Sequence, residues 1–332
     1  MNAIELNSCA GGMALGARSA GIEFALSVDW DADACETYER ALGHRPLQLD
    51  IRELARLVAA GWRPVSVLDL LVADPPCTPW SRAGNRLGVE DDRDLLHVTV
   101  ELVRALHPRC WIIANIPGLD DGPNWPTVHA TIGSLQDLYA IDFRRLDATD
   151  FGVPQHRVRP FWFGRPHGTT PLAWPASTHG DPNEIGHAML GDGRRPWVTC
   201  GEALAHLPES ELGRPVRVRQ RVDGNGGALL EWPWDRPATT VTARDEIGQP
   251  GRNGRDGTSQ STNAIKLSER AALILQGFPD GYWIAGKTKK ARWSQIGQAM
   301  PPPLSAAVFN SIAAWMVTEQ TFARTCVVEL LP

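Results

Sequence analysis

No two of the six cysteines in this chain are spaced as a C-x-x-C pair; Cys9, Cys35, Cys77, Cys110, Cys200 and Cys326 lie scattered along it. That scatter excludes a zinc ribbon and a disulfide framework, and leaves most of them to be reduced core thiols. An apolar run of about 18 residues is missing too, which excludes a membrane-spanning helix. No arginine-led apolar segment stands at the N-terminus, so no secretion signal is expected. The expected setting is the cytoplasm, with no membrane and no metal as partners. Internal repeats, low-complexity tracts and the G-x-G-x-x-G phosphate fingerprint are all absent.

What is present is a core. The 332 residues are 43% hydrophobic and 21% charged, which suits one large domain plus a smaller one. The first 165 or so residues alternate β-like runs with helical patterns. "AIELNS" precedes a helix from Met13, "FALSVD" precedes "DACETYERAL", and "SVLDLLVAD", "DLLHVTVELVRAL" and "CWIIAN" follow. Strand, helix, strand at this spacing predicts an α/β fold, a doubly wound and mostly parallel sheet covered on both faces. From Arg165 to Asp235 the texture turns to Pro, Gly, Trp and Arg, and apolar helical spacing then returns. The predicted division is a catalytic, cofactor-binding domain at 1–164, a loop-rich domain at 165–235, and a tail at 236–332 whose last helix rejoins the first domain.

The formal charge of −5 conceals a division: residues 1–150 carry 13 Lys+Arg against 22 Asp+Glu, whereas 151–332 carry 20 against 16. Within "RPVRVRQR", Arg214, Arg217, Arg219 and Arg221 fall inside eight residues. Such a cluster can neutralise phosphates even on an acidic protein, or can blunt an exposed strand edge.

In a doubly wound sheet, ligands sit beyond the carboxyl ends of the strands. The first such end, "LNSCAGGMALG", offers Gly11 and Gly12 for close backbone approach and a helix start with free N–H groups. The second ends in "SVDWD", where Asp29 is placed to bond ribose hydroxyls and Trp30 to stack on an adenine. An acid without the phosphate fingerprint favours a ligand with a ribose and no pyrophosphate. S-adenosyl-L-methionine fits that description. The fourth strand runs into "VADPPCTPWSRAGNRLGVEDDRD", where two prolines stiffen the approach to Cys77 and a polar, glycine-containing stretch with Arg82, Arg86 and Arg93 follows as a lid.

These stretches carry a resemblance. "DPPCTPWS" resembles the proline-cysteine nucleophile motif of DNA (cytosine-5)-methyltransferases of the prokaryotic and phage type, and "GVEDDRD" the end of their catalytic loop. "FGVPQHRVRPFWFG" resembles their Gln-x-Arg-x-Arg strand, and "RPATTVTAR" their Arg-Pro-x-x-Thr-Val element. "LSERAALILQGFPDGYW" and "IGQAMPPPL" resemble the closing segments. The motifs keep the family's order over nearly the whole chain, leaving 165–235 unmatched. The resemblance implies the class I S-adenosylmethionine-dependent methyltransferase fold with a smaller loop-rich target-recognition domain.

It also implies a mechanism. C5 of cytosine is a poor nucleophile, so a thiolate first adds to C6 and makes C5 enamine-like. Cys77 would be that thiolate, acting on a base flipped out of the duplex. Arg159 would hold cytosine O2, while Gln155 and Arg157 would anchor the surrounding loop, backbone or phosphate. The cofactor set would be Ser8, Cys9, Ala10, Gly11, Gly12, Asp29, Trp30, Asp50, Ile51, Asp74, Pro76, Leu96, Gln298 and Ala299. Double-stranded DNA would meet Ser81, Arg82, Arg86, Arg93, Arg214, Arg217, Arg219, Arg221, Arg236 and Thr240, an arginine there preferring guanine. A monomer is expected. Trp174, Trp197, Trp232 and Trp234 read as the small core of the recognition region.

The sequence departs from the family pattern at telling places. "ANIPGL" occupies the Glu-Asn-Val strand tip, where the resemblance assigns a glutamate to the flipped base at N3 and the exocyclic amine. Here Ala114 stands beside Asn115, and a methyl group neither donates a proton nor accepts a hydrogen bond. An introduced Glu→Ala substitution, a natural variant that recruits another acid or acts on a different base or alkyl donor, and a DNA-binding pseudoenzyme all remain open, and the chain as written is expected to bind but to be severely slowed. Asn7 and Cys9 replace the aromatic and first glycine of the first motif, and Gln298 replaces the asparagine of the last. A methyltransferase acting on RNA is the rival reading within the enzyme class. Amino-methylating enzymes need no cysteine there.

Overall fold

The structure is a computed structural model that describes residues 1–76, 94–120, 124–185, 193–208, 211, 217–219, 229–231, 235–243 and 267–328. Two compact units are present: Met1–Leu146, Val158–Ala176 and Ser305–Pro332 form the first, Asp147–Arg157 and Ser177–Leu304 the second.

The first unit is built on seven strands: β1 (Ala3–Leu6), β2 (Phe24–Asp29), β3 (Leu47–Gln48), β4 (Leu70–Ala73), β5 (Cys110–Ala114), β6 (Ala140–Asp147) and β7 (Val158–Arg165). They lie in the order β3-β2-β1-β4-β5-β7-β6. β1, β2, β3, β4 and β5 run parallel, and β7 pairs antiparallel with β5. This is the expected doubly wound sheet. Every residue of β1, β4 and β5 is buried, as continuous apolar runs require when both faces are covered. The order reverses between β1 and β4, so the loops after them part there and leave the crevice in which such sheets bind ligands.

Helices α1 (Gly12–Ser19), α2 (Ala32–Leu42), α3 (Ile51–Ala59), α4 (Leu96–Leu106) and α5 (Trp125–Gly133) connect the strands. Their starts are legible as caps. Asp31 accepts the Asp33 N–H ahead of α2, and Asp50 accepts the Arg52 N–H ahead of α3. β4 is shorter than "SVLDLLVAD" suggests and begins at Leu70; just ahead of it the Asp69 carboxylate accepts the Asn2 N–H at 2.8 Å. The closing helix, Pro302–Val328, packs on the same unit. Ser305 Oγ donates to Met13 O at 3.1 Å, and a Cβ on Gly16 would lie 2.5 Å from Ser305 Cβ. Only glycine lets those two backbones come so close. Trp315 donates its indole N–H to Thr170 O at 2.8 Å and sets its ring edge-on to Phe163.

The second unit holds two small ladders, β8 (His179–Gly180) with β9 (Arg195–Pro196) and β10 (Arg217–Arg219) with β11 (Leu229–Glu231), and helices α6 (Pro182–Ile185), α7 (Cys200–Leu204), α8 (Glu269–Leu275) and α9 (Lys289–Gln298). Thr199 and Glu202 close a capping box on α7, while Ser268 and Thr288 cap α8 and α9. The division differs from boundaries drawn at 164/165 and 235/236. Leu172 N–H bonds to the Asp142 carboxylate and Trp174 packs on Phe161, which ties 165–176 to the sheet. α8 and α9 lie in the second unit, where Gln155 and Arg157 bind their backbones.

Candidate active site

The loop after β1 is tightly wound. Asn7, Cys9 and Gly11 all have positive φ, at 59°, 47° and 79°. That explains the cost of Cys9 where the family pattern has glycine: a side chain in the left-handed region is strained, whereas asparagine tolerates it better. Asp29, at the end of β2, fixes the loop by accepting the Cys9 N–H at 2.7 Å and the Asp31 N–H at 2.9 Å. Each carboxylate oxygen keeps a second lone pair for a hydroxyl. Burial pushes this carboxyl above the usual range, against the pull of the Asp31, Cys9 and Trp30 amides. Trp30 beside it is 65% exposed, an indole face open for stacking. Ser8 Oγ is buried with no hydrogen-bond partner among the described residues.

Ala10, Gly11 and Gly12 are buried, with Gly11 serving as the N-cap of α1. Asp50 is engaged locally, its carboxylate held by the Arg52 guanidinium at 2.7 Å, which keeps it below the ordinary range. Ile51 and Leu96 face the core, and Leu96 N–H donates to the buried Asp94. Asp74 and Pro76 are half-buried just beyond β4.

The strand tip at Ala114 is fully buried and paired with Phe161 of β7. Asn115 ties three segments of the chain together. Its N–H donates to Pro160 O at 3.1 Å, its Nδ2 to Pro75 O at 2.9 Å, and its Oδ1 accepts the Ile116 N–H at 2.9 Å. It therefore holds the backbone leading to Cys77 rather than presenting an amide to a ligand. Cys77, Ser81, Arg82, Arg86 and Arg93 lie outside the described residues. Arg159, on β7 and 5% exposed, turns a guanidinium N–H to Val158 O.

In the second unit, Gln155 and Arg157 anchor backbone, one of the roles the resemblance offered. The Gln155 amide donates to Leu275 O and Gln276 Oε1 and accepts the Val241 N–H. Arg157, 1% exposed, donates to Val241 O at 2.9 Å and Gly297 O at 2.8 Å. A Cβ on Gly297 would stand 2.0 Å from Ala243 N, so the arginine clamps a crossing that only glycine permits. Ala299 is buried as the C-cap of α9, and the exposed Gln298 amide donates to Ser294 Oγ one turn back. Thr240 hydroxyl donates to His156 O, and Arg236 is exposed. Arg217 and Arg219 lie on β10, opposite Glu231 and Leu229; Arg214 and Arg221 fall outside the described residues. Trp197 belongs to this unit, donating to Asp150, but Trp174 does not, since it packs on Phe161 in the first. Trp232 and Trp234 are outside the described residues.

The C-5 cytosine-specific DNA methylase family profile matches residues 1–314. The chain belongs to that family. This methylase is 29% identical over 324 residues to the type II methyltransferase M.NaeI of Lentzea aerocolonigenes, covering 95% of this chain and 75% of that one. It is 31% identical over 231 residues to M.AquIA of Picosynechococcus, covering 65% and 92%. Its fold is that of the Dnmt2 methyltransferase of S. pombe, with a TM-score of 0.63 at 16% identity, over 96% and 99% of the two chains. The methylase is therefore a prokaryotic DNA cytosine-5-methyltransferase with the class I fold, and its family implies S-adenosylmethionine as the methyl donor. The residues present fit a donor of that kind: a solvent-facing indole, an acid at the end of β2 that fixes the first loop, and a buried serine hydroxyl with no hydrogen-bond partner among the described residues. No group of His, Cys, Asp and Glu able to hold a metal occurs among the described residues of the methylase, and none of its described helices is long and apolar enough to cross a membrane.

One buried acid of this methylase escaped the sequence reading. Glu5, on β1 and 1% exposed, accepts the Tyr38 hydroxyl at 2.9 Å, and Tyr38 in turn meets Ser27 Oγ at 2.7 Å. Burial pushes the Glu5 carboxyl up to about 8. Its signal was a lone acid inside the apolar run "AIEL".

Proposed function

We propose that this methylase acts on cytosine in duplex DNA flipped into the crevice of the sheet, with the Cys77 thiolate adding to C6 so that C5 takes the methyl group. Bound S-adenosylmethionine supplies an electrophilic methyl. The observation that supports this reading most is the Asn115–Pro75 bond, which fixes the stiff Pro75–Pro76 approach to the nucleophile against the tip of β5. Trp30 and Asp29 would receive the adenosine, with the Ser8 hydroxyl completing the cradle. Arg159 would face cytosine O2. The proton displaced from C5 passes to a solvent base, and the C6–Sγ bond then breaks to restore the ring. Arg217, Arg219, Arg236 and Thr240 would meet the DNA from the second unit, the enzyme acting as a monomer in cytoplasmic modification of the restriction type.

The test is to incubate the enzyme with labelled S-adenosylmethionine and mixed-sequence duplex DNA, digest, and identify the labelled nucleoside. 5-Methylcytosine is expected. Cys77→Ser is expected to drop it below detection and to abolish the covalent adduct with a duplex bearing 5-fluorocytosine. Label on an amino group, or an adduct that persists without Cys77, would refute the assignment. Ala114 favours a second reading, binding without turnover. Duplex retention with no label from any variant would establish that one instead.

A further inference from the structure

We infer that Asp74 supplies the carboxyl that the strand tip lacks, hydrogen-bonding the exocyclic amine and N3 of the target cytosine from the neighbouring strand. The inference rests on the proposed reaction at C5 and names the acid that reaction needs. The sequence reading had placed Asp74 with the cofactor.

The register carries it. β4 and β5 pair as Leu70↔Cys110 through Ala73↔Ile113, and one step further stand Asp74 and Ala114. The paired ladder ends at Ala73 and Ile113, and the step beyond it is held on the β1 side and at the Asn115 side chain. Asp74 N–H still donates to Leu6 O, and Asn115 Nδ2 holds Pro75 O one residue beyond. Asp74 and Ala114 are therefore bracketed between two fixed points. Register partners in a parallel ladder project to the same face, so the aspartate stands beside the position where the methyl group replaces a longer acid. β7 supplies the opposite wall. Ala114 pairs with Phe161, and Arg159, two residues from Phe161, shares that face. A guanidinium and a carboxyl thus flank the β5 tip from either side, the pairing that the O2 and N3–amine edges of one pyrimidine call for.

Asp74 accepts the hydrogen bond of the exocyclic amine and lends a proton to N3 while Cys77 Sγ bonds C6. It recovers that proton when the C6–Sγ bond breaks. No additional acid is consumed.

Single-turnover methylation at saturating S-adenosylmethionine, read beside the equilibrium affinity for that donor, tests the assignment. Asp74→Asn is expected to slow methyl transfer by about 10²- to 10⁴-fold, the usual worth of general acid help, with donor affinity held within about threefold. Asp74→Asn with Ala114→Glu is expected to recover most of the rate, because the acid returns from the next strand. Ala114→Glu alone is expected to gain less than about tenfold, since an acid is already in place. An Asp74→Asn enzyme as fast as the parent, or one that loses only donor affinity, would overturn the inference. So would a silent parent that Ala114→Glu awakens, an outcome that leaves the C5 chemistry standing. If neither the parent nor Ala114→Glu makes 5-methylcytosine, the underlying reading falls and this inference falls with it.

Discussion

Replacing Arg157 with methionine is expected to lower the unfolding free energy of the second unit by about 3–5 kcal/mol. The methionine stem follows the arginine stem but carries no donor. Two buried carbonyls, Val241 O and Gly297 O, would lose charge-assisted hydrogen bonds of 2.9 and 2.8 Å. Such bonds contribute about 1.5–3 kcal/mol each, and an orphaned buried acceptor costs a similar amount. Water has little access to repair the loss, because the side chain is 1% exposed. Urea unfolding followed by tryptophan fluorescence reads the change as a lowered midpoint. A phosphate-binding role for Arg157 forecasts something else: unchanged stability and a shallower salt dependence of DNA affinity. Equal midpoints for parent and variant would remove the clamp from the account.

The second large effect concerns Glu5 and runs with pH. Its carboxyl titrates at about 8 in the folded chain, against an ordinary value of 4.5. Desolvation is the main cause, opposed by the Tyr38 and Ser27 hydroxyls and reinforced by Asp29 and Asp74. Below 4.5 both states hold the proton, and Glu5 adds no pH dependence. Between 4.5 and 8 the unfolded chain releases a proton that the folded chain keeps, so stability falls as pH rises; above 8 both are ionised and the loss levels off. The full span is on the order of 5 kcal/mol. Glu5→Gln cannot ionise. Its stability relative to the parent should therefore climb through this window, measured as the difference in unfolding free energy from pH 4.5 to 8.5. A constant difference across the window would mean that Glu5 is ionised in the fold.

The sheet was readable because its strands advertise themselves. "CWIIA" and "LLVA" are unbroken apolar runs, and strands buried on both faces need little else. Asp31 and Asp50 announced their helices as caps. The position of Asp29 and Trp30 at the end of β2 was readable for a related reason: the apolar run stops there and a capped helix follows. What escaped depends on partners far along the chain. Arg157 finds Gly297 across 140 positions, and Asn115 finds Pro75 across 40. Nothing local to either residue names its acceptor. The unit boundaries escaped likewise, since the Pro- and Trp-rich texture from Arg165 masks a stretch whose Leu172 and Trp174 are committed to the sheet.

The embrace of Gly16 by Ser305 has a consequence for synthesis. Ser305 lies 292 positions beyond its partner Met13, so the nascent half that carries α1 must wait for this buttress. At ordinary translation speeds of 5–20 residues per second, that wait is about 15 to 60 s. A ribosome that stops early would release a half-covered α1, a substrate for chaperones and proteases before it is ever an enzyme.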